Sequence, residues 1–150
     1  MDFLHPQLER LYAYWNAQRR GHVFPLREDI DPLDMPYALG NVLLVDVERE
    51  PAIRFRYRLW GVNLTTDYGQ EMTGRYVDQL QPPAFGARVQ QQYLATLTAN
   101  AAQLHKFDDI IDGRWFMHER LLLPLARPEA PDAIGMILGA IFRTPRDAGR

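Results

Sequence analysis

The dipeptide Asp112-Gly113 separates two apolar runs near the end of the chain, and it constrains the fold more than any other feature of the sequence. Asp-Gly between strand-like runs is typical of a two-residue β-hairpin, because both turn positions need positive φ. The flanking runs extend over residues 104–111 and 115–125. In such a hairpin each residue before the turn faces the residue equally far beyond it, so Lys106 is predicted to lie opposite Glu119.

A second strand is predicted over residues 53–60, where apolar and basic side chains alternate. Alternation with a period of two is typical of a strand with one face in the core and the other in water. The side chains predicted to face the core are Ile53, Phe55, Tyr57 and Leu59. The opposite face carries the arginine row Arg54, Arg56 and Arg58.

Two helices and two further strands complete the predicted secondary structure. The first helix begins at Pro6. The second follows Pro83 and ends near Ala101, and the side chains predicted to line one side of it are Phe85, Val89, Gln92, Tyr93, Thr96 and Leu97. The further strands lie over 42–47 and 134–142, and short helical turns join residues 61–81. Antiparallel strands with helices gathered in the middle of the chain predict an α+β fold with a single sheet.

The chain of 150 residues is predicted to form one domain. We divide it into an N-terminal amphipathic helix over 1–22, a folded domain over 23–143 and a polar tail over 144–150. The apolar stripe of the first helix consists of Leu8, Leu11, Tyr12 and Trp15. We expect part of this stripe to cover the domain and the remainder, including Tyr12 and Trp15, to form a homodimer.

Composition excludes several classes of function. The chain contains no cysteine, so it has no thiolate nucleophile, thiolate metal site or cysteinyl-flavin adduct, and it has no serine for a Ser–His–Asp triad. A net charge of −2 gives no general attraction to nucleic acid or to an anionic membrane. We find no apolar segment of membrane-spanning or signal-peptide length. The expected location is the cytoplasm.

Six short motifs in this order resemble those of a family of PAS-like domains, mostly small proteins from alphaproteobacteria. They are Tyr14-Trp15, Pro25-Leu26-Arg27, Asp29-Ile30-Asp31-Pro32, Tyr57-Arg58-Leu59-Trp60-Gly61, Gly69-x-x-Met72-Thr73-Gly74 and Leu123-Pro124-Leu125. The resemblance implies a five-stranded antiparallel sheet with helices on one face. It also implies a sensory or docking role without a catalytic residue. No output domain is recognised, so the signal would pass to a partner protein.

In PAS domains, a ligand cavity lies between the sheet and the short helices. The residues predicted here to line it are Phe55, Tyr57, Leu64, Tyr68, Met72, Tyr93, Met117, Glu119 and Met136. Glu119 is the polar group expected to orient a small-molecule ligand, because it interrupts the apolar row that includes Leu121 and Leu123. This prediction requires the Lys106–Glu119 face of the hairpin to point toward the cavity. The sequence identifies neither the ligand nor a cofactor.

Three other interpretations of the sequence stay open. A small cavity enzyme, isomerase-like or hydratase-like, would need a buried carboxylate with a raised pKa, and the candidates are Asp46, Asp67 and Glu119. His105 and His118 are predicted to be diagonal neighbours on one face of the hairpin, within reach of a common ligand, although we expect no metal site. The arginine row could bind an anion or a nucleic acid, although the overall charge argues against nucleic acid, or it could be neutralised by Asp108, Asp109 and Asp112.

Overall fold

A computed structural model describes residues 1–146 as one antiparallel sheet with helical layers on both faces. The helices are α1 (Pro6–Gln18), α2 (Val62–Tyr68) and α3 (Pro83–Ala99). The strands are β1 (Val42–Glu48), β2 (Arg54–Trp60), β3 (Gln103–Ile111), β4 (Arg114–Arg127) and β5 (Ala130–Pro145). Their order in the sheet is β2-β1-β5-β4-β3. The predicted five-stranded α+β fold is therefore confirmed.

The polar tail predicted over 144–150 falls only partly within this description. Strand β5 continues to Pro145, so the first two residues of that segment belong to the sheet. Residues 147–150 lie outside the described residues. Within residues 1–146, no helix is both long enough and apolar enough to span a bilayer.

The hairpin of β3 and β4 has the predicted register. Lys106 pairs with Glu119 and His105 pairs with Arg120. The turn residues Asp112 and Gly113 have φ values of 51° and 78°, the left-handed region that a type I′ turn requires. The local turn chemistry was therefore sufficient to set which residues of the two strands face each other.

Strand β2 follows the predicted alternation only in its first half. Phe55 and Tyr57 are buried as predicted, but Ile53 precedes the strand and is 42% exposed. Tyr57 pairs with Val45 of β1, and Leu59 pairs with Leu44, the residue next to Val45. The residue between Tyr57 and Leu59 therefore has no partner in β1 and forms a bulge. A bulge reverses the face on which the following side chain lies. The prediction that Leu59 faces the same side as Tyr57 is therefore wrong.

Helices α2 and α3 cover one face of the sheet, which we call the inner face. Helix α3 buries Val89, Tyr93 and Thr96, three of the residues predicted for its packed side. It ends at Asn100, whose φ of 52° gives a left-handed cap. Gly86 permits a close approach, because a Cβ there would lie 2.9 Å from the carbonyl oxygen of Leu80. The inner layer is thus fixed by side-chain packing and by one backbone contact.

The N-terminal segment, residues 1–41, covers the opposite or outer face of the sheet. Helix α1 buries Leu8, Leu11 and Trp15 there. The Trp15 indole Nε1 donates a hydrogen bond to the carbonyl oxygen of Pro124 in β4 at 2.8 Å. Trp15 is therefore part of the core of its own chain, and the prediction that it contributes to a dimer interface is wrong. Of the two aromatic residues proposed for that interface, Tyr12 is still partly exposed.

The buried carboxylate of Glu119 holds the start of α1 against the outer face. Glu119 is 0% exposed. Its Oε2 accepts a hydrogen bond from the backbone N–H of Leu4, and its Oε1 accepts one from that of His5, both at 2.8 Å. The Lys106 Nζ lies 3.8 Å from Oε2. Two backbone donors next to a helix N-terminus and one ammonium group satisfy the carboxylate.

The Lys106–Glu119 pair was predicted to face the ligand cavity, and this prediction is wrong. The pair exists, but it lies under α1 on the outer face. The prediction failed because both faces of β4 are buried. An apolar face of such a strand does not indicate whether the inner or the outer layer covers that face.

Replacing Glu119 by Gln should loosen the N-terminal segment. A glutamine offers one acceptor oxygen to the two backbone N–H groups, so one buried donor is left without a partner. We expect a loss of about 1–3 kcal/mol in the free energy of unfolding, measured by urea denaturation. Hydrogen exchange at the amides of Leu4 and His5 should be faster. Glu129→Gln, on the exposed β4–β5 turn, is the matched control and should have little effect; identical curves for both variants would contradict the role of Glu119.

Candidate functional site

Two tyrosines from different elements meet in the middle of the inner face. Tyr57 projects from β2 and Tyr93 from α3, and their hydroxyl oxygens are 2.9 Å apart. Burial raises the pKa of Tyr57 well above its ordinary value. Burial raises the pKa of Tyr93 to about 12. Both phenols are therefore neutral at physiological pH and can donate and accept hydrogen bonds.

Aromatic rings surround this pair. Phe55 packs edge-on against Tyr93 with ring centroids 5.3 Å apart, and Trp60 packs in the same way against Tyr57 at 4.9 Å. Tyr68, at the end of α2, contacts Trp60 at 6.0 Å and stacks on Phe85 of α3 at 5.5 Å. An aromatic layer therefore extends from the tyrosine pair toward the N-terminal end of α3.

The residues predicted to line the cavity fall into two groups. Phe55, Tyr57 and Tyr93 are joined by the contacts above. Leu64 lies buried in α2, and Met72 lies buried in the segment after it. The continuation of that segment pairs with the edge of β2, since the amide of Tyr57 donates to the carbonyl of Arg75 at 2.8 Å.

Met117, Glu119 and Met136 do not join this group. Met117 and Glu119 alternate along β4 with Arg120, whose side chain reaches α3, so they lie on the outer side. Met136 lines a groove of about 930 Å³ together with Asp46 and Arg58 of the edge strands. The prediction that these three residues share a cavity with Tyr57 is therefore wrong.

Arg120, the principal charged residue of the inner face, was not predicted from the sequence. Its side chain is 2% exposed. Its Nη1 donates a hydrogen bond to Gln92 Oε1 of α3 at 2.7 Å, and its buried Nε has no hydrogen-bond partner in the described part of the chain. The guanidinium lies 5.5 Å from the ring centroid of Phe107 and 5.9 Å from that of Phe85. Among residues 1–146, no carboxylate forms an ion pair with it.

The charge of Arg120 acts on the titratable groups around it. Burial raises the pKa of Tyr68, and the nearby guanidinium opposes that rise. Burial lowers the pKa of His105, and Arg120 lowers it further. The pKa of His118 is also lowered, first by burial, although Asp109 opposes that effect. These shifts keep both imidazoles neutral near pH 7.

The two histidines lie on the inner face as the register predicts. His118 stacks on Phe107 with the ring centroids 4.7 Å apart and the planes at 7°. The Nε2 atoms of His105 and His118 are buried and have no hydrogen-bond partner. Within the described part of the chain, no group of three or more His, Asp or Glu side chains is arranged to hold a metal ion.

The arginine row is neutralised by residues other than those predicted. Arg54 pairs with Asp78 at 2.9 Å and Arg58 pairs with Asp46 at 2.7 Å, whereas Arg56 donates to a backbone carbonyl. The predicted partners Asp108, Asp109 and Asp112 lie at the other end of the sheet, near and in the β3–β4 turn.

The three carboxylates considered for an enzyme are engaged elsewhere. Asp46 belongs to the ion pair with Arg58, and Asp67 faces Arg143 at 3.9 Å. Glu119 is bound by the backbone of Leu4 and His5. The structure therefore does not favour the cavity-enzyme interpretation, which requires a carboxylate on the inner face.

The bond between Tyr57 and Tyr93 predicts a particular pattern of stability. Tyr57→Phe or Tyr93→Phe alone leaves one buried hydroxyl without its partner, so each should cost about 1–3 kcal/mol in the free energy of unfolding. The double variant should lose less than the sum of the two, because no orphaned hydroxyl is left. Urea denaturation of the four proteins measures this difference, and strictly additive losses would contradict a bond between the hydroxyls.

Solved structures with the same architecture are PAS and LOV domains. The PAS domain of BvgS from Bordetella pertussis has a TM-score of 0.55 and 14% sequence identity, over 93% of this chain and 90% of that one. The LOV protein of Rhodobacter sphaeroides has a TM-score of 0.51 and 18% identity, over 99% of this chain and 71% of that one. At such low identity the likeness shows a shared fold.

Among curated protein sequences, none is significantly similar to this chain. A family model described as "PAS domain" matches residues 3–142, a range that includes α1 and nearly the whole sheet. The resemblance inferred from the sequence motifs is thus confirmed, and the chain belongs to the PAS domain family.

Proposed function

We propose that this protein is a non-catalytic sensory module that binds a small ligand on the inner face of its sheet and reports binding to a partner protein through α1. Membership of the PAS family supports the sensory role. The aromatic layer around Tyr57 and Tyr93 supports ligand binding, because small-molecule sites are mostly apolar with a few placed polar groups.

The observation that carries the proposal is the position of two consecutive charged residues in β4. The Arg120 side chain reaches Gln92 in the inner layer. The neighbouring Glu119 carboxylate binds the amides of Leu4 and His5 in the outer layer. Both side chains are buried, so each transmits displacement directly to its surroundings. A change in β4 caused by a ligand at Arg120 would therefore reach the start of α1 through one peptide unit.

The first test asks whether a ligand is present and whether α1 responds to it. Native mass spectrometry of the protein purified from cells should show a non-covalent small molecule that is released on denaturation. Removing that molecule should change the hydrogen exchange of the Leu4 and His5 amides. The amides of the β3–β4 turn, far from α1, provide the internal control. A chain that retains no molecule, or equal exchange in loaded and stripped protein, would contradict the relay.

We also propose that the exposed side of the N-terminal segment docks on a signalling partner or on a second copy of the chain. Tyr12 packs against Phe3 and Trp15, with ring-centroid distances of 5.7 and 5.9 Å, and is partly exposed. Leu4 and Leu33 are 51% and 85% exposed in the same segment. These apolar side chains supply the contact area that a homodimer interface needs.

If the second copy binds here, Tyr12→Ala should shift the sedimentation coefficient toward that of the monomer, because it removes the central ring of the interface. Trp15 is unsuitable for this experiment, since its replacement would disrupt the core. Ile110→Ala, which changes an exposed apolar residue near the β3–β4 turn, is the control. A wild-type protein that sediments as a monomer at high concentration would exclude the homodimer and leave only the partner protein.

A further inference from the structure

We propose that the ligand of the inner face is a small organic carboxylate and that its negative charge is bound by Arg120, between α3 and the β3–β4 hairpin. This inference rests on the proposed function and adds the chemical class of the ligand. It starts from Arg120, which is 2% exposed and whose guanidinium donates to the neutral Gln92 of α3.

A buried charge without a counter-charge is costly, and folded proteins pair such groups or hydrate them. The two acidic residues of this region do not fill that role. Asp67 faces Arg143 at 3.9 Å, and Asp109 faces the His118 Nε2 at the same distance while its own side chain is largely exposed. Among the described residues, no anion therefore balances the buried positive charge of Arg120.

Within residues 1–146, three further polar atoms around Arg120 are buried and have no hydrogen-bond partner of good geometry. They are the Tyr68 hydroxyl and the Nε2 atoms of His105 and His118, in addition to the Arg120 Nε. His105 is the register partner of Arg120, and His118 lies two residues before it on the same face. Tyr68 packs on the same Phe85 ring as the guanidinium. Buried polar groups are nearly always satisfied, so four orphaned atoms around one cation indicate a missing polar molecule.

A carboxylate fits this arrangement better than other anions. Its two oxygens can accept from the Arg120 Nε–H and from the Tyr68 hydroxyl, in charge-assisted hydrogen bonds. One negative charge balances one guanidinium, whereas a phosphate dianion would bring a second charge into a site with one unpaired cation. The rings of Phe85 and Phe107 line the same place, so the body attached to the carboxylate is apolar or aromatic.

The route to the site passes the same two rings. Arg88 is exposed on α3 and lies 5.7 Å from the Phe85 centroid and 5.9 Å from the Phe107 centroid. Arg120 also lies near both rings. The rings therefore lie between the exposed guanidinium of Arg88 and the buried guanidinium of Arg120. Both phenylalanines are partly exposed. Arg88 would attract an anion to the entrance, and Arg120 would hold it inside.

Isothermal titration calorimetry of the full chain tests the proposal with a panel of acetate, hexanoate, benzoate and indole-3-acetate. Each carboxylate is compared with its neutral amide, and sodium chloride and inorganic phosphate are the inorganic controls. We expect at least one carboxylate to bind saturably and its amide to bind about tenfold or more weakly, because the charge-assisted bonds are lost. Equal binding of acid and amide, or binding of phosphate or chloride alone, would overturn the carboxylate assignment.

Two variants locate the binding site. Arg120→Met should weaken the carboxylate by about tenfold to a hundredfold. Tyr68→Phe should weaken it by about tenfold, because one of the two groups that would bind the carboxylate is lost. Tyr14→Phe is the matched control: it removes a hydroxyl bonded to Asp34 in the outer layer and should not change affinity. If Arg120→Met fails to fold, Tyr68→Phe alone decides.

The outcomes separate this inference from the proposed function. If the protein retains a neutral molecule whose affinity is unchanged by Arg120→Met and Tyr68→Phe, the carboxylate inference is wrong and the sensory proposal stands. If no molecule co-purifies and no member of the panel binds, both are wrong. Saturable carboxylate binding that Tyr68→Phe weakens and Tyr14→Phe does not would establish the site.

Discussion

The burial of β4 on both faces is the constraint on which the rest of the structure depends. Neighbouring residues of this strand point to opposite layers, so Glu119 and Arg120 bring two opposite charges into two separate interiors. Glu119 is satisfied there by Leu4, His5 and Lys106. Arg120 is not satisfied in the same way. The charge in the outer layer is therefore balanced by groups of the protein itself, whereas the inner layer contains a buried cation whose charge a ligand can balance.

Local chemistry explains which parts of the fold could be predicted from the sequence. Asp112-Gly113 specifies its own turn, so the β3–β4 register follows from two residues. The alternation at Phe55 and Tyr57 gives the strand and its buried face, and helical spacing gives the packed side of α3 around Tyr93. Each of these features is determined by residues close together in the chain.

The remaining features depend on residues far apart in sequence. Glu119 bonds to amides 115 and 114 positions away, and no local pattern indicates which layer an apolar strand face will meet. The bulge that reverses Leu59 arises from its pairing with β1 and not from its own residues. One signal for Arg120 was available. The apolar run that follows it predicts burial on both faces, and a charged residue within such a strand is then buried whichever way it points.

The geometry of β4 also limits how a signal could travel. A one-residue slip of the strand would exchange Glu119 with Arg120 between the layers, which neither interior could accommodate. The response must therefore keep the register and change the tilt of β4 or the hydrogen bonds at Leu4 and His5. A ligand can shift such an equilibrium only by its difference in affinity for the two states. If Arg120 binds a carboxylate as proposed, binding favours the state in which the carboxylate reaches it, and the contacts of Glu119 in that state would determine what α1 presents to a partner.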